Sequence, residues 1–312
     1  MTVEKLWDFL FDLIATFGVK ILSTIIIMIV GFKLIKWLKI MDYKGLESKI
    51  IQSIEKFSVL GKVKEILDRG FVLCHINNNL SSGILLTGIN PSFNPKHGVL
   101  PGKLDPQDVI NGKGRFWTKK IKQFGDVWAQ ISYLDLFPVR ESKQEEGFEK
   151  TFKSAYALRG ALLEITQEEV ERLAPKLIVH ANRGSMYYWG VKPAQEADVD
   201  ANDYEHPWMG YKVKRVVKDL SKFNSKEHLV EIKNLPDCMT EERLKKFPLY
   251  KIIGYIDNSE RINYKRKSTS LEGCFLMEYV MEYRKKEDRD KMYKYTEWVE
   301  IWKWVKKQSP AD

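Results

Sequence analysis

The chain has 312 residues, 44% of them hydrophobic and 30% charged, with a formal net charge of +9. That length holds one large domain, or two modest ones with an appendage, and the apolar content excludes a disordered chain. The basic excess points to an anionic partner, either nucleic acid or a membrane surface, without choosing between them.

From Leu6 to Leu38 the chain is strongly apolar, and Leu13 to Phe32 makes 20 residues broken only by Lys20. About 20 helical residues cross a bilayer core. Lys20 can snorkel from near one end of such a span, whereas nearer the middle it is costly. A cleaved signal peptide fits less well. The positive charges follow the apolar run, as Lys33, Lys36, Lys39 and Lys44, and no small-residue cleavage site closes it. A buried core helix is the other alternative. The reading taken is one N-terminal transmembrane helix, an anchor over residues 1–41. Its trailing lysines put the rest of the chain in the cytoplasm, at an inner or plasma membrane. The run Ile25-Ile26-Ile27-Met28-Ile29-Val30-Gly31-Phe32-Lys33 resembles the first transmembrane helix of small-conductance mechanosensitive channels. No second apolar span and no small-residue pore helix follows, so the resemblance implies an anchor and not a channel.

Residues 42–70 read as a charged helical connector. Ile50, Ile51, Ile54, Phe57, Leu60, Val63, Ile66 and Leu67 recur at helical spacing and should pack on the domain that follows, residues 71–312. Within that domain Ile84-Leu85-Leu86-Thr87 is a short apolar run that feeds into Gly88-Ile89-Asn90-Pro91-Ser92. Such a run, bounded by turn residues, reads as a buried strand. Gly88 and Pro91 then force a turn that presents the Asn90 amide at the strand's carboxyl end. Open α/β sheets place their ligands at that edge. The plain alternative is a turn in which Asn90 caps its own backbone.

Arg115-Phe116-Trp117 opens a helix, and Ala129 to Phe137 reads as a second strand leading to Pro138-Val139-Arg140. A helix over residues 148–173 is stopped by Pro175. Lys176 to Ala181 is a third strand, Asn182 to Ser185 a turn, and Met186 starts another helix. Strand, helix and strand in alternation predict an α/β three-layer sandwich around a central parallel sheet of about four strands. Between Val191 and Tyr250 the chain reads as an insertion, with a turn at His206-Pro207-Trp208-Met209-Gly210. A further strand is expected over 275–281. A final helix over 293–307 carries Trp298, Val299, Trp302 and Val305 at core spacing, though a membrane-interface helix has the same look. Cys74, Cys238 and Cys274 are odd in number and far apart, which points to a reducing compartment. The five histidines show no ligand spacing, so no metal and no cofactor are expected.

Four landmarks now stand in order: Gly88-Ile89-Asn90-Pro91, Arg115-Phe116-Trp117, Tyr133-Leu134-Asp135-Leu136 with Arg140, and Pro175-Lys176-Leu177-Ile178-Val179 with Asn182. Together they resemble the uracil-DNA glycosylase superfamily, in its mismatch-specific or thymine-DNA glycosylase branch, over about residues 83–190. The resemblance implies an N-glycosyl hydrolase that takes a base flipped out of the stack. It implies that Asn90 holds the attacking water and that Gly88, Ile89, Pro91, Ser92, Phe93, Asp135 and Asn182 surround the base. Phe93 would stack on it. Glycosidic cleavage passes through an oxocarbenium-like state, for which a positioned water suffices, and an amide is too weak a base for fast turnover.

Two departures matter. The family reads the base with an asparagine where this chain has Asp135, and an ionised carboxylate accepts hydrogen bonds without donating them. It suits an exocyclic amine better than the carbonyls of uracil, or else it pairs with Arg140 or a lysine. The family's second loop, which enters the minor groove, has no clear counterpart. Lys265, Arg266, Lys267, Ser268 and Ser270, with Tyr264 interleaved, are one candidate for nucleic-acid contact beside Arg140, and Tyr283-Arg284-Lys285-Lys286 is another. A charge run of this kind is more often a solvated face. The functional expectation is a membrane-anchored glycosylase-like protein. The rival is a non-catalytic, membrane-tethered sensor of nucleotides or nucleic acid, as in defence against foreign DNA.

Overall fold

The structure is a computed structural model that describes residues 28, 43–57, 69, 83–91, 122–141, 156–181, 183–191, 208–256, 268–278 and 293–308. The chain divides after Asp42, and everything below concerns the unit Tyr43–Asp312. The proposed anchor lies outside the described residues apart from Met28. Among the described residues no helix is long and apolar enough to cross a membrane.

Helix α1 spans Tyr43–Lys56 and buries Leu46, Ile50 and Ile54, one residue per turn. That stripe packs on α2, Tyr156–Leu173, as the connector's spacing predicts. Strand β1, Ile84–Gly88, is buried at all five positions. So is β2, Ile131–Asp135, which follows a 3-10 turn over Gly125–Gln130. The second strand therefore starts two residues later than its sequence predicts, because Gly125 sits at φ 52° and the turn takes up Ala129 and Gln130. Strand β3 is Leu177–His180, and α3 is Arg183–Tyr188. That helix begins three residues ahead of Met186, where the sequence had placed its start, so the expected turn over 182–185 is already helical from Arg183.

Beyond α3 come β4 (Tyr211–Val217), β5 (Leu229–Glu231), α4 (Glu241–Lys246), β6 (Leu249–Tyr255), β7 (Phe275–Glu278) and α5 (Tyr295–Gln308). Among the described residues the seven strands form one mixed sheet in the order β2-β1-β3-β7-β6-β4-β5. The first four are mutually parallel. Strand β6 runs antiparallel to both its neighbours, and β5 is parallel to β4. The expected sheet of about four parallel strands is thus one half of a larger one. The stretch 191–250, which read as an insertion, supplies β4 and β5 and opens β6. Strand β4 alternates buried Tyr211 and Val213 with Lys212 and Lys214, a local strand signal within the stretch that had no expected elements.

Helices cover both faces. Leu177 pairs with Phe275, and His180 lies three residues on, so Phe275 and His180 point to opposite sides of the sheet. Phe275 meets Trp304 of α5 at 4.8 Å between ring centroids, while His180 meets Trp189, just past α3, at 5.8 Å. Helix α5 buries Trp298, Ile301, Trp302, Trp304 and Val305, which makes it a core helix; Val299 is half-buried.

Candidate functional site

The parallel half delivers four chain ends to one edge. Gly88 closes β1, Asp135 closes β2, His180 closes β3 and Glu278 closes β7. Gly88 is in register with Asp135, and His180 with Thr87 and with Glu278. Asp135 and His180 therefore share an edge but face opposite sides of the sheet.

Pairing continues past the strands and holds the Asn90 turn. Leu136 N–H donates to Gly88 O (3.0 Å), Phe137 N–H to Ile89 O (2.8 Å) and Glu141 N–H to Pro91 O (3.1 Å). On the other side Ala181 N–H donates to Thr87 O at 2.6 Å. Helix α3 closes over the turn: a Cβ on Gly184 would lie 2.8 Å from Ile89 Cδ1. Asn90 is 2% exposed, and its Nδ2 donates to Pro91 O at 3.1 Å. The amide thus stands where the sequence places it, and it is turned inward along its own backbone.

Asp135 lies against this turn. Its carboxyl folds back across β1, so that a Cβ on residue 88 would sit 2.3 Å from Oδ1 and 3.1 Å from the Tyr133 hydroxyl. Only glycine fits there. Tyr133 Oη donates to Asp135 Oδ1 at 2.7 Å, from two residues back on the same face of β2. Burial raises the Asp135 pKa to about 7, against hydrogen bonds from Tyr133 and the Gly88 N–H that pull it down. The side chain therefore titrates near neutrality and exists as a carboxylic acid in part of that range.

Arg140, expected at the surface as a nucleic-acid contact, is 3% exposed, and burial lowers its pKa. It can reach no phosphate from there without moving. Next to it Glu141 forms an ion pair with Arg69 of the connector, both largely buried. Sequence reasoning missed this pair, which joins the connector to the segment that holds Pro91. It also missed the His180 side. His180 is fully buried, its Nδ1 lies 2.9 Å from Ser185 Oγ, and Nε2 has no partner among the described residues. Burial drops the His180 pKa to about 3, so the ring is neutral.

Ser268 and Ser270 are not brought to this edge. They precede β7, and Gly273 N–H and Cys274 O bond Ile252 beside the start of that strand, at the opposite end of the parallel half. There Ser270 donates to Glu171 Oε2 from both N–H (2.7 Å) and Oγ (2.6 Å), and Thr269 Oγ1 donates to Oε1 at 2.7 Å. Ser270 thus binds a carboxylate of α2, and neither serine lines the Asn90 turn. Ser92, Phe93, Arg115 to Trp117, Asn182, Lys265, Arg266, Lys267 and Tyr283 to Lys286 lie outside the described residues. The chain matches no family model, no curated protein and no solved structure.

Proposed function

We propose that the chain is a uracil-DNA-glycosylase-like protein that binds a flipped nucleobase at the carboxyl edge of β1 and β2. The single observation that carries this reading is the Asp135 carboxyl, folded over Gly88 beside the Asn90 turn, at the edge where parallel sheets take ligands. A hydrogen-bonding side chain buried next to a backbone turn is the kind of group that reads a base edge. The net charge of +9 favours a polyanionic carrier for that base. Asn90 is the residue proposed to position water at the anomeric carbon, with slow turnover because an amide is a poor base. The apolar segment of residues 1–41 is proposed as a single-pass anchor that keeps this domain at the cytoplasmic face.

The second reading is a base or nucleotide sensor without hydrolysis. The burial of Asn90, 2% exposed with its Nδ2 donating to Pro91 O, favours it, since a water and a sugar must reach that amide before it can act. One experiment separates the two. The full-length chain is incubated with DNA carrying mixed damaged and mismatched bases, and free base is measured by mass spectrometry. Release that disappears in Asn90→Ala supports the hydrolase; DNA or nucleotide binding without release supports the sensor. Binding of neither DNA nor nucleotide overturns both.

A further inference from the structure

Strands β4 and β6 bring lysines together on one face of the sheet. Lys214 and Lys251 are directly opposed in the antiparallel register, and Lys212 stands two residues back along β4, opposite Gly254. Lys251 in turn pairs with Phe275, and its Nζ lies 5.7 Å from the centre of that ring. Lys212 is exposed, and Lys214 and Lys251 are half-buried. A Cβ added to Gly254 would meet nothing within 4 Å, so the strip is open beside Lys212. Like charges directly opposed across a ladder destabilise it. Among the described residues neither Lys214 nor Lys251 forms an ion pair. No described residue on this face of β4 to β7 is acidic, because Glu231 and Glu278 point to the other side.

We propose that Lys212, Lys214 and Lys251 form a docking strip for the phosphate backbone of a nucleic acid, apart from the base site. This rests on the base-binding reading above and says where the carrier of the base is held. Lysines set against a regular line of phosphates need no particular sequence, and they release counterions on contact. A lipid surface fits the strip less well. It calls for apolar side chains to insert, and the exposed large hydrophobic residues among those described, Met28 and Tyr295, are on neither strand. The strip shares a face with Asp135. Ile84 pairs with Leu177 and Leu177 with Phe275, while Gly88, opposite Asp135, lies an even number of residues after Ile84. In the sheet order β6 and β4 come four and five strands after β2. At about 4.8 Å per strand that is roughly 19–24 Å. A mononucleotide cannot bridge that gap, whereas a duplex of about seven base pairs can.

The test is fluorescence anisotropy of the full-length chain with a mixed-sequence duplex of about 20 base pairs, from about 50 to about 200 mM salt. The triple variant Lys212→Gln, Lys214→Gln, Lys251→Gln should lower the slope of log affinity against log salt by about 3, near one per lysine. Its affinity should fall at least about 10-fold at the low-salt end. Lys212→Gln alone, at the exposed position, should lower the slope by about 1 and guards against a folding defect in the triple variant. The control removes the same charge from Lys122, Lys233 and Lys245, exposed elsewhere, and should change the slope by less than about 1. Binding of the four deoxynucleoside monophosphates should be equal in all these chains, since none of them reaches the strip from the base site. Unchanged slopes in the strip variants, or equal falls in the strip and control triples, overturn the strip and leave the base site standing. A wild-type chain that binds mononucleotides but no duplex overturns the strip as well. If the duplex slopes fall as expected while no mononucleotide binds, the strip stands and the base site is overturned.

Discussion

Two buried titratable side chains at the same sheet edge work against each other. Asp135 holds a proton up to about pH 7 in the folded chain, against 3.8 for the free group. Between those values the folded state keeps a proton that the unfolded state has released, so stability falls as pH rises. His180 stays neutral down to about pH 3, against 6.5 when free. Between those values the unfolded state takes up a proton that the folded state refuses, so stability rises with pH. Each slope approaches about 1.4 kcal/mol per pH unit, with opposite sign, and the two nearly cancel from 3.8 to 6.5. Asp135→Asn should uncover the His180 slope, and His180→Gln the Asp135 slope. Urea midpoints at a series of pH values read both, relative to wild type. Two flat differences would mean that neither group is shifted.

Gly88 and Asp135 form a second residue-scale test. Gly88→Ala drives a methyl to 2.3 Å from Oδ1 and should cost about 3 kcal/mol, because the carboxyl must leave Tyr133 to make room. In an Asp135→Ala background the same substitution should cost about 1 kcal/mol or less. The coupling of about 2 kcal/mol is what a double-mutant cycle on urea unfolding measures. Additive losses would place the carboxyl elsewhere.

Among the elements, α2 ends in a way that its sequence only half announces. Pro175 terminates it as expected, but the residue that turns the chain is Ala174, at φ 45°. Its N–H still reaches Val170 O at 2.9 Å, the bond of a left-handed cap usually made by glycine. A Cβ in this region is strained, so Ala174→Gly should raise stability by about 0.5–1 kcal/mol, read as a higher thermal midpoint. A loss of stability would mean that the greater freedom of the unfolded glycine outweighs the relieved strain. The helices were the most legible elements. Leu46, Ile50 and Ile54 in α1, and Trp298, Ile301, Trp302 and Val305 in α5, bury one face because 3.6-residue periodicity is a local property. Strand β4 carries a local signal, since Lys212 and Lys214 alternate with buried Tyr211 and Val213, but only its pairing with β6 places it in the main sheet.

At the scale of the whole unit, Glu171 ties the parallel half to the antiparallel half. Its carboxylate accepts from Tyr211 of β4 (2.9 Å), from Tyr255 of β6, from Thr269 and twice from Ser270. Burial pushes its pKa up, but the bonds from Ser270, Tyr255 and Thr269 outweigh it and hold the pKa below the usual carboxylate range. Glu171→Gln turns an amide N–H toward donors and should cost about 2–3 kcal/mol. Lys49→Gln breaks an ion pair whose partners are half exposed and should stay within about 0.5 kcal/mol. Urea midpoints compare the two, and hydrogen exchange over 268–271 should rise in the first alone. Equal effects would remove Glu171 as the link between the halves.

By itself the sequence determined an α/β chain, the helices with a clear apolar face, and the four strands of the parallel half. It also put Asn90 and Asp135 at the ends of their strands, because a short apolar run followed by glycine and proline is decided by neighbouring residues alone. The tertiary structure decided what those side chains meet. It set the Asp135 carboxyl over Gly88 and under Tyr133, turned Asn90 onto Pro91, withdrew Arg140 from the surface and carried Ser270 to the far end of the sheet. Each of these is a contact between strands or loops distant in the chain. Burial, which raises the Asp135 pKa, exists only once those strands are side by side.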